Sequence, residues 1–448
     1  MADNLFMASQ LVLFDREIEA RTYHDPGRVG FFSILADTAK GRQQSSYRLT
    51  DMPVTLGLID PTRDTWLSQA EFVRPNRRVV NLSRIGLLFA DLDTYRVPEL
   101  AGRTPDELAA SVLYHCGDLG IPVPSLLIFS GRGIQAKWLL DRPVPRQALP
   151  RWNACQKYLV DLLKCAGADV AAKDASRVLR LVETVNSRSG EVCRVVHVEN
   201  GTDGQPVRYA FEYLAEMLLP VARWDIEQQR QARPERRQIK ILTGTKSGNL
   251  RGFSGRQLAW HRLEDLRLLA SLRGGVSEGE RMMHLFWRLN FLLLSGATNS
   301  AQMYHEAAAL ARELDSSWNY RSKELMTLYA KARQYEAGER VEFGGKKYPP
   351  LYTPRNGTLI DLFQITDEEQ RELRTVISKG MAAERHKERE KARRRAAGAV
   401  DREIYLSSAN AKQMQAQALR EQGLSVRTIA EQMKVSIGSV SGYLNSDS

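Results

Sequence analysis

Cysteine is scarce in this chain of 448 residues, which contains four. Their small number and irregular spacing argue against a disulfide framework or a zinc site, so we expect free thiols in a reducing compartment. No segment approaches the roughly 18 apolar residues of a membrane-spanning helix. The amino terminus lacks the basic region that opens a signal peptide. We therefore predict a cytoplasmic protein with no membrane partner.

Acidic residues are outnumbered, and the imbalance is confined to one half of the chain. The whole sequence has 64 lysine and arginine residues against 53 aspartate and glutamate residues, a net charge of +11. Residues 1–220 contain 26 of each kind, whereas residues 221–448 contain 38 basic and 27 acidic residues. A basic excess favours a polyanionic partner, with nucleic acid ahead of an anionic membrane surface.

Length and local patterning predict several domains. A domain commonly contains about 100–200 residues, so two or three domains fit this length. Strand-like and helix-like segments alternate over residues 1–220, which predicts an α+β domain. A basic linker (221–253), a helical domain (254–378), a charged helix or linker (379–408) and a small helical unit (409–448) are predicted to follow.

Local sequence patterns predict the positions of several strands and helices. The apolar runs at residues 79–82 and 87–92 predict strands. Residues 104–107 read Thr-Pro-Asp-Glu, a capping box with proline in the first turn, which predicts that a helix starts there. A second capping box begins at Thr366, and we expect its helix to continue through residues 384–395.

Two acidic residues, Asp91 and Asp93, lie at the end of the apolar run at 87–92. On a strand, residues two apart face the same side, so both carboxylates would point the same way. Two like charges so close repel each other, and a divalent cation relieves that repulsion. Carboxylate oxygens suit Mg²⁺ or Mn²⁺. The alternative is a pair of solvated acids at the end of a strand.

A glycine-rich segment, Ser130-Gly131-Arg132-Gly133, lies between two apolar runs and predicts two strands joined by a turn. Glycines allow backbone amides to approach a phosphate closely, and the side chains of Ser130 and Arg132 add hydrogen-bond donors. An ordinary hairpin turn is the alternative for this segment.

A third group comprises Asp169, Asp174, Arg177 and Arg180. If residues 177–181 are extended, two arginines three apart do not share a face, so at least one of them is a candidate for a structural role. A network of aspartates and arginines on the surface is the alternative.

In this order, the three motifs resemble those of the archaeo-eukaryotic primase superfamily, above all its plasmid- and phage-type primases and replication proteins. The resemblance covers about residues 60–200 and includes Trp66-Leu67-Ser68-Gln69 ahead of the paired aspartates. It implies an α+β fold in which residues 1–220 form a catalytic domain with an RRM-like core. An accessory helical bundle would follow.

The resemblance implies roles for individual residues. Asp91, Asp93 and a third acid, Asp169 with Asp174 as runner-up, would bind Mg²⁺ or Mn²⁺ and be catalytic. Contacts to a nucleoside triphosphate or to template phosphates are implied for a second set: Ser130, Gly131, Arg132, Gln135, Lys137, Arg177 and Arg180. Gln135 stands near the position where the family has a histidine. Its amide donates a hydrogen bond but carries no charge.

Residues 416–444 resemble a helix-turn-helix. Ala430 is small where two helices would cross, Ser436 would cap the second helix, and Val440 and Leu444 would anchor it. Contacts with duplex DNA are expected from Arg427, Ser436, Ser439, Ser441 and Tyr443. A helical hairpin used for protein contacts is the alternative. Residues 401–448 contain five basic and five acidic residues, so this unit alone should bind DNA weakly.

The basic segment 379–395 contains eight basic and three acidic residues and no aromatic residue. One interpretation is a solvated helix whose charges pair at a spacing of four residues. The other is contact with a DNA backbone.

The predicted function is that of a DNA primase-like replication protein of a bacterial plasmid or other mobile element. It would make short primers on single-stranded DNA from nucleoside triphosphates by two-metal nucleotidyl transfer. A replicative helicase or polymerase is the implied protein partner. The competing prediction is a non-catalytic, origin-binding replication initiator or regulator that uses the helix-turn-helix.

Overall fold

The computed structural model describes residues 14–219, 246–398 and 402–445. Within those ranges the chain forms two compact units. Unit 1 comprises Met1–Leu359 with Glu372–Val376, and unit 2 comprises Ile360–Arg371 with Ile377–Ser448. The predicted basic linker lies mostly outside the described residues, which resume at Lys246. The predicted domain boundaries stay predictions.

A single antiparallel sheet forms the centre of unit 1. Its strands in the described residues are β1 (Phe31–Thr38), β2 (Gly41–Arg48), β3 (Thr65–Ser68), β4 (Ala70–Phe72), β5 (Leu82–Leu92), β6 (Leu126–Phe129), β7 (Ile134–Pro145), β8 (Val178–Arg180) and β9 (Arg194–Val198). The order across the sheet is β8-β3-β1-β4-β5-β7-β6-β9, and β2 pairs with β1. This sheet with its helices confirms the mixed α+β fold that the sequence predicts.

Helices cover the sheet and hold its central strand. They are α1 (Arg16–Arg21), α2 (Met52–Gly57), α3 (Pro105–Asp118), α4 (Leu149–Leu162) and α5 (Phe211–Leu218). The side-chain amide of Gln156 on α4 bonds both the N–H and the C=O of Phe89, at 3.2 and 2.6 Å. Trp152 Nε1 donates to the C=O of Leu87 at 2.9 Å. Buried backbone groups need hydrogen-bond partners. At Leu87 and Phe89 of β5, side chains of α4 supply these partners in place of a neighbouring strand.

The first capping box forms as predicted. Thr104 Oγ1 accepts the N–H of Glu107, and Glu107 Oε2 accepts the N–H of Thr104 at 2.8 Å. Helix α3 then begins at Pro105 and ends at Asp118. Local side-chain chemistry is therefore sufficient to start this helix.

Unit 1 continues as a helical region. It contains α6 (Lys246–Leu272), α7 (Arg281–Leu294), α8 (Met303–Leu314) and α9 (Met326–Glu336), then the hairpin of β10 (Val341–Phe343) and β11 (Lys346–Tyr348), and α10 (Asn356–Phe363), which continues past the boundary of the unit. The strand predicted at residues 79–82 is wrong in its first part, because Val79–Asn81 forms a 3-10 turn. The N–H groups of Val79 and Val80 donate to the carboxylate of Glu306 on α8, at 3.1 and 3.2 Å, instead of to a neighbouring strand.

Asp265 on α6 connects residues 372–376 to the rest of unit 1 through hydrogen bonds. Its buried carboxylate accepts the N–H groups of Arg374, Thr375 and Val376 at 2.8, 2.7 and 2.9 Å, and the hydroxyl of Thr375 at 2.6 Å. Leu373 and Val376 are also buried. This cluster explains why a short segment from a later part of the chain belongs to unit 1.

The same cluster breaks the long helix that the sequence predicts after Thr366. The second capping box forms, but α11 (Asp367–Glu372) ends after six residues. A separate helix, α12 (Lys379–Ala396), begins after Ser378, whose hydroxyl accepts the N–H of Met381 at 3.2 Å. The expectation of one continuous helix is wrong because the intervening amides bond Asp265.

Unit 2 ends in three helices, α13 (Arg402–Glu421), α14 (Val426–Met433) and α15 (Ile437–Leu444). Ala416, Ile429, Ala430 and Val440 are buried together at their centre. Ser436 caps α15 by accepting the N–H of Ser439 at 3.1 Å, as the sequence predicts. Among the described helices of the whole chain, none is long and apolar enough to cross a bilayer.

We expect the substitution Asp265→Ala to lower the free energy of unfolding by roughly 2–4 kcal/mol, since it leaves three N–H groups, that of Val376 buried, and the hydroxyl of Thr375 without their acceptor. Urea denaturation followed by circular dichroism measures the change. Asp118→Ala is the matched control, because Asp118 is exposed at the end of α3, and its effect should stay within about 0.5 kcal/mol. Equal stabilities of the two variants would contradict the role given to Asp265.

Candidate active site

A cleft of about 940 Å³ opens in unit 1 between the end of β5, the turn after β6 and the helical region. Of the residues for which the sequence predicts a site role, eight line it: Asp91, Asp93, Ser130, Arg132, Gln135, Asp174, Arg177 and Arg180. Asp169 is linked to the cleft through Arg177, whose Nη2 is 3.0 Å from Asp169 Oδ2. All three sequence motifs therefore meet at one place.

Strand pairing places Asp91 between two polar neighbours. In the ladder of β5 and β7, Asp91 stands directly opposite Gln135. On the other side of β5, Leu92 pairs with Ala168, and the N–H of Asp169 donates to the C=O of Asp91 at 2.8 Å. Residues directly opposite in antiparallel strands share a face. Gln135, Asp91 and Asp169 therefore stand side by side.

The pKa of the Asp91 carboxyl lies above the ordinary value for an aspartate. Burial raises the pKa of Asp91 to about 6, and the negative charges of Asp93 and Asp169 also raise it. The guanidinium of Arg177, and more weakly that of Arg180, opposes this shift. An acid in a cleft whose pKa is raised by desolvation and by neighbouring like charges is typical of a functional site.

The two arginines of the third motif both reach the cleft, by different routes. Arg177 lies just before β8 and contacts Asp169, with Asp174 at 3.9 Å from its Nη1. Arg180 ends β8, where it pairs with Asp64 and lies over the ring of Trp66, 4.9 Å from the ring centroid. The structural contacts of Arg180 hold its guanidinium at the cleft wall.

The Ser-Gly-Arg-Gly segment forms a tight turn that depends on both glycines. Gly131 has a φ of +91°, and a Cβ there would lie 2.6 Å from Cβ of Asn186. A Cβ on Gly133 would lie 2.2 Å from the C=O of Leu92. The close approach places Ser130 and Arg132 beside the end of β5. Arg132 lies over the ring of Tyr95, 3.9 Å from the ring centroid.

Lys137 does not lie in the cleft. It is buried two residues farther along β7, where its Nζ is 2.6 Å from Glu19 Oε1 and 3.4 Å from the hydroxyl of Tyr23. A buried ammonium group needs a partner of opposite charge. Because α1 supplies that partner from a distant part of the sequence, the motif around Lys137 gives no indication of this pairing.

Several cleft residues were not identified from the sequence. They include Asp64, Arg77, Arg78, Lys173, Arg256 and Glu306. Lys173 lies inside the third motif, next to Asp174, but the other five lie outside the motifs from which the site was predicted. Arg256 and Glu306 come from the helical region. A tertiary structure is needed to bring such residues together.

The cleft is strongly basic although the first half of the chain is electrically balanced. Its lining includes five acidic residues and ten basic ones: Arg42, Arg77, Arg78, Arg132, Lys157, Lys173, Arg177, Arg180, Arg188 and Arg256. Nine of those ten belong to residues 1–220, which are neutral overall. Folding has gathered the basic residues on one surface. Such a cleft attracts phosphate groups.

The donor set of the cleft fits a divalent cation that prefers oxygen. Asp91 and Asp93 offer carboxylates at the end of β5, and a cation beside Asp91 would relieve the repulsion that raises its pKa. Among the described residues, no three acidic, histidine or cysteine side chains form a ready-made metal cluster. Asp169 pairs with Arg177 at 3.0 Å, so it would have to leave that partner to act as a third ligand.

The C-terminal residues expected at DNA have different surroundings. Arg427 is exposed on α14, and Ser441 is partly exposed on α15. Ser436 and Ser439 bond each other through their hydroxyls at 2.8 Å, while Tyr443 packs against the buried core. DNA contact by these residues stays a prediction.

Comparisons with known proteins place the chain beside replication proteins. No family model matches the sequence. A replication protein of Clostridium perfringens is 28% identical over 340 residues, which are 76% of this chain and 74% of the relative. The chain is thus similar to a bacterial replication protein over most of its length.

Solved structures with weak overall likeness include two primases. One is the archaeo-eukaryotic primase domain of the cyanophage S-2L primase-polymerase, with 19% identity over 42% of this chain and 89% of that chain, and a TM-score of 0.31. The other is the catalytic domain of primase RepB' in complex with initiator DNA, with 15% identity over 50% of this chain and 96% of that chain, and a TM-score of 0.26.

The substitution Asp91→Asn should stabilise the metal-free protein at pH 7.5 by roughly 1–2 kcal/mol. A raised pKa in the folded state means that the stability contributed by Asp91 is complete below its unfolded pKa near 4. It is lost as the pH rises through about 6. The advantage of the variant should therefore be smaller at pH 4.5 than at pH 7.5.

Thermal unfolding in the presence of a chelator measures this effect, with Asp118→Asn as the control for an exposed aspartate. An advantage of Asp91→Asn that is independent of pH would contradict the assignment. Adding millimolar Mn²⁺ should raise the Tm of the wild type and not that of Asp91→Asn, because a ligand that binds only the folded state stabilises it.

Proposed function

We propose that the chain is a DNA primase-like replication protein that makes short primers on a single-stranded DNA template by nucleotidyl transfer. A plasmid or another bacterial mobile element is the proposed setting. The similarity to a replication protein of Clostridium perfringens supports the biological role. The geometry of the cleft supports the chemistry.

The observation that carries the proposal is the position of Asp91. Its carboxyl lies at the end of a buried strand, beside Asp93 and Asp169, in a cleft with twice as many basic as acidic residues. Asp93 and Asp91 would hold Mg²⁺ or Mn²⁺, with Asp169 as the proposed third acid. When bound, such ions lower the pKa of an attacking hydroxyl and offset the charge of the leaving pyrophosphate.

The chain's own groups would position the nucleotide. Ser130 and Arg132 are held at the cleft by the glycine turn, and Arg177 contacts the carboxylate of Asp169. Two guanidinium groups and a hydroxyl can bind the oxygens of a triphosphate. Gln135 lines the same cleft but is 2% exposed, and among the described residues its Oε1 is buried without a hydrogen-bond partner.

The remaining basic wall would accept the template. Arg77, Arg78 and Arg256 line the same cleft, where the charges of Asp174 and Glu306 act on Arg77. Arg78 bonds the side chain of Gln302 at 3.1 Å, which links the sheet to the helical region at this wall. A row of arginines along a cleft suits the phosphates of a single strand. The three C-terminal helices are proposed to select a duplex site as a helix-turn-helix.

Primer synthesis tests the proposal. The protein is incubated with single-stranded DNA, labelled nucleoside triphosphates and Mg²⁺ or Mn²⁺, and products are separated by size. We expect short products from the wild type and a loss of at least about 100-fold in Asp91→Asn and Asp93→Asn, since each removes a charge that the metal requires. Asp118→Asn should retain the wild-type rate.

Two further variants identify the third acid. Asp169→Asn should cause a loss close to that of Asp91→Asn, whereas Asp174→Asn should be milder. If the wild type makes no product but binds duplex DNA, the enzyme proposal fails. The non-catalytic initiator would then be favoured. Its support is the compact three-helix core around Ala430 and Val440.

A further inference from the structure

Helix α12 is charged on all sides and buries none of its residues. It contains eight basic and three acidic side chains between Lys379 and Arg395. A helix that is polar all round cannot owe its place to packing of an apolar face. The charge on α12 therefore needs another explanation.

Pairing within the helix leaves most of this charge uncompensated. Glu390 pairs with Arg393 at 2.9 Å. In the described part of the chain, the other acids of α12 make no ion pair, and the basic residues with no acidic partner include Lys387, Arg389, Lys391 and Arg394. Neutralisation by charges spaced four residues apart is thus not what the structure shows.

The helix dipole accounts for only part of the pattern. Arg393, Arg394 and Arg395 lie in the last turn, where basic residues stabilise the negative end of a helix. Lys387 and Lys391 lie before that turn, and the dipole effect falls off within it. The helix dipole therefore does not explain the positive charges of Lys387 and Lys391.

Three of the four uncompensated charges form one row, and Arg389 lies on another face. Lys387, Lys391 and Arg394 are spaced by four and three residues, so they share a face of the helix. At a rise of 1.5 Å per residue the row is about 10 Å long. The start of the helix is held by Arg385, which donates to the C=O groups of Gln370 at 2.8 Å and Arg371 at 2.5 Å. The row thus belongs to a fixed element of unit 2.

The chemistry of the row favours phosphates on a polymer over a lipid surface. A helix that binds membranes needs an apolar face beside its basic one, and α12 has no aromatic residue and no buried face. Residues 401–448 of the same unit have five basic and five acidic residues. That segment cannot supply the net positive charge on which sequence-independent DNA binding depends.

We propose that the row Lys387–Lys391–Arg394 binds the phosphate backbone of duplex DNA irrespective of sequence. Unit 2 would then separate two tasks, with α12 providing affinity and the three C-terminal helices providing site selection. This inference goes beyond the proposed nucleotidyl transfer and concerns a surface outside the cleft.

The salt dependence of DNA binding by the full chain tests the inference. Affinity for a random-sequence duplex is measured between 50 and 200 mM salt for the wild type and for Lys387→Gln/Lys391→Gln/Arg394→Gln. Each phosphate contact contributes about 0.9 to the slope of log K against log salt, so the slope should fall by about 2–3. Glutamine preserves the helix, and circular dichroism verifies it.

A matched control removes the same charge elsewhere. Lys40→Gln/Lys323→Gln/Lys347→Gln changes three exposed lysines that lie outside both α12 and the cleft, and its slope should equal that of the wild type. An unchanged slope in the α12 variant would overturn the proposal. So would an equal fall in the control, or α12-dependent binding to anionic vesicles without an effect on DNA.

The Asp91→Asn variant distinguishes this proposal from the catalytic one. Its primer synthesis should be lost while its salt slope stays at the wild-type value. If the wild type makes no primers and the α12 variant still loses slope, the primase proposal fails and the DNA-backbone proposal stands.

Discussion

The structure of unit 1 is organised around one electrostatic constraint, the accumulation of carboxylates at the end of β5. Asp91, Asp93 and Asp169 would repel one another if they were alone in a partly closed cleft. Arg177 contacts Asp169 and opposes the rise of the pKa of Asp91. The pairing of residues 167–169 with the end of β5 and the glycine turn after β6 both serve to maintain this crowded geometry.

Net charge proved to be a poor guide to local charge. The neutral balance of residues 1–220 suggests, when counted along the sequence, that the first half has no electrostatic preference. In the fold, nine basic residues of that half line one cleft. Other acids of that half are used elsewhere, for example Glu19 with Lys137 and Glu183 with Arg16. The electrostatic potential in the cleft depends on where the fold places each charged side chain and its ion-pair partner.

The sequence predicted features that depend on neighbours in the chain. The capping boxes at Thr104 and Thr366 both form, because their hydrogen bonds join residues three apart. The tight turn at Gly131 and the pairing of β6 with β7 likewise follow from a local pattern. The two predictions that failed involved partners distant in the sequence. The predicted strand at residues 79–82 begins as a 3-10 turn whose N–H groups bond Glu306. The predicted long helix after Thr366 is interrupted where its backbone bonds Asp265.

By itself, the sequence determined the α+β pattern of unit 1, the helical character of the region after residue 254, and the three motifs that meet in the cleft. Only the tertiary structure decided that Lys137 is a buried partner of Glu19 and that Arg256 and Glu306 join the cleft wall. The physical reason is the range of the interactions. Caps, turns and periodicity act over a few residues, whereas buried charges and cleft walls require groups that are far apart in the chain.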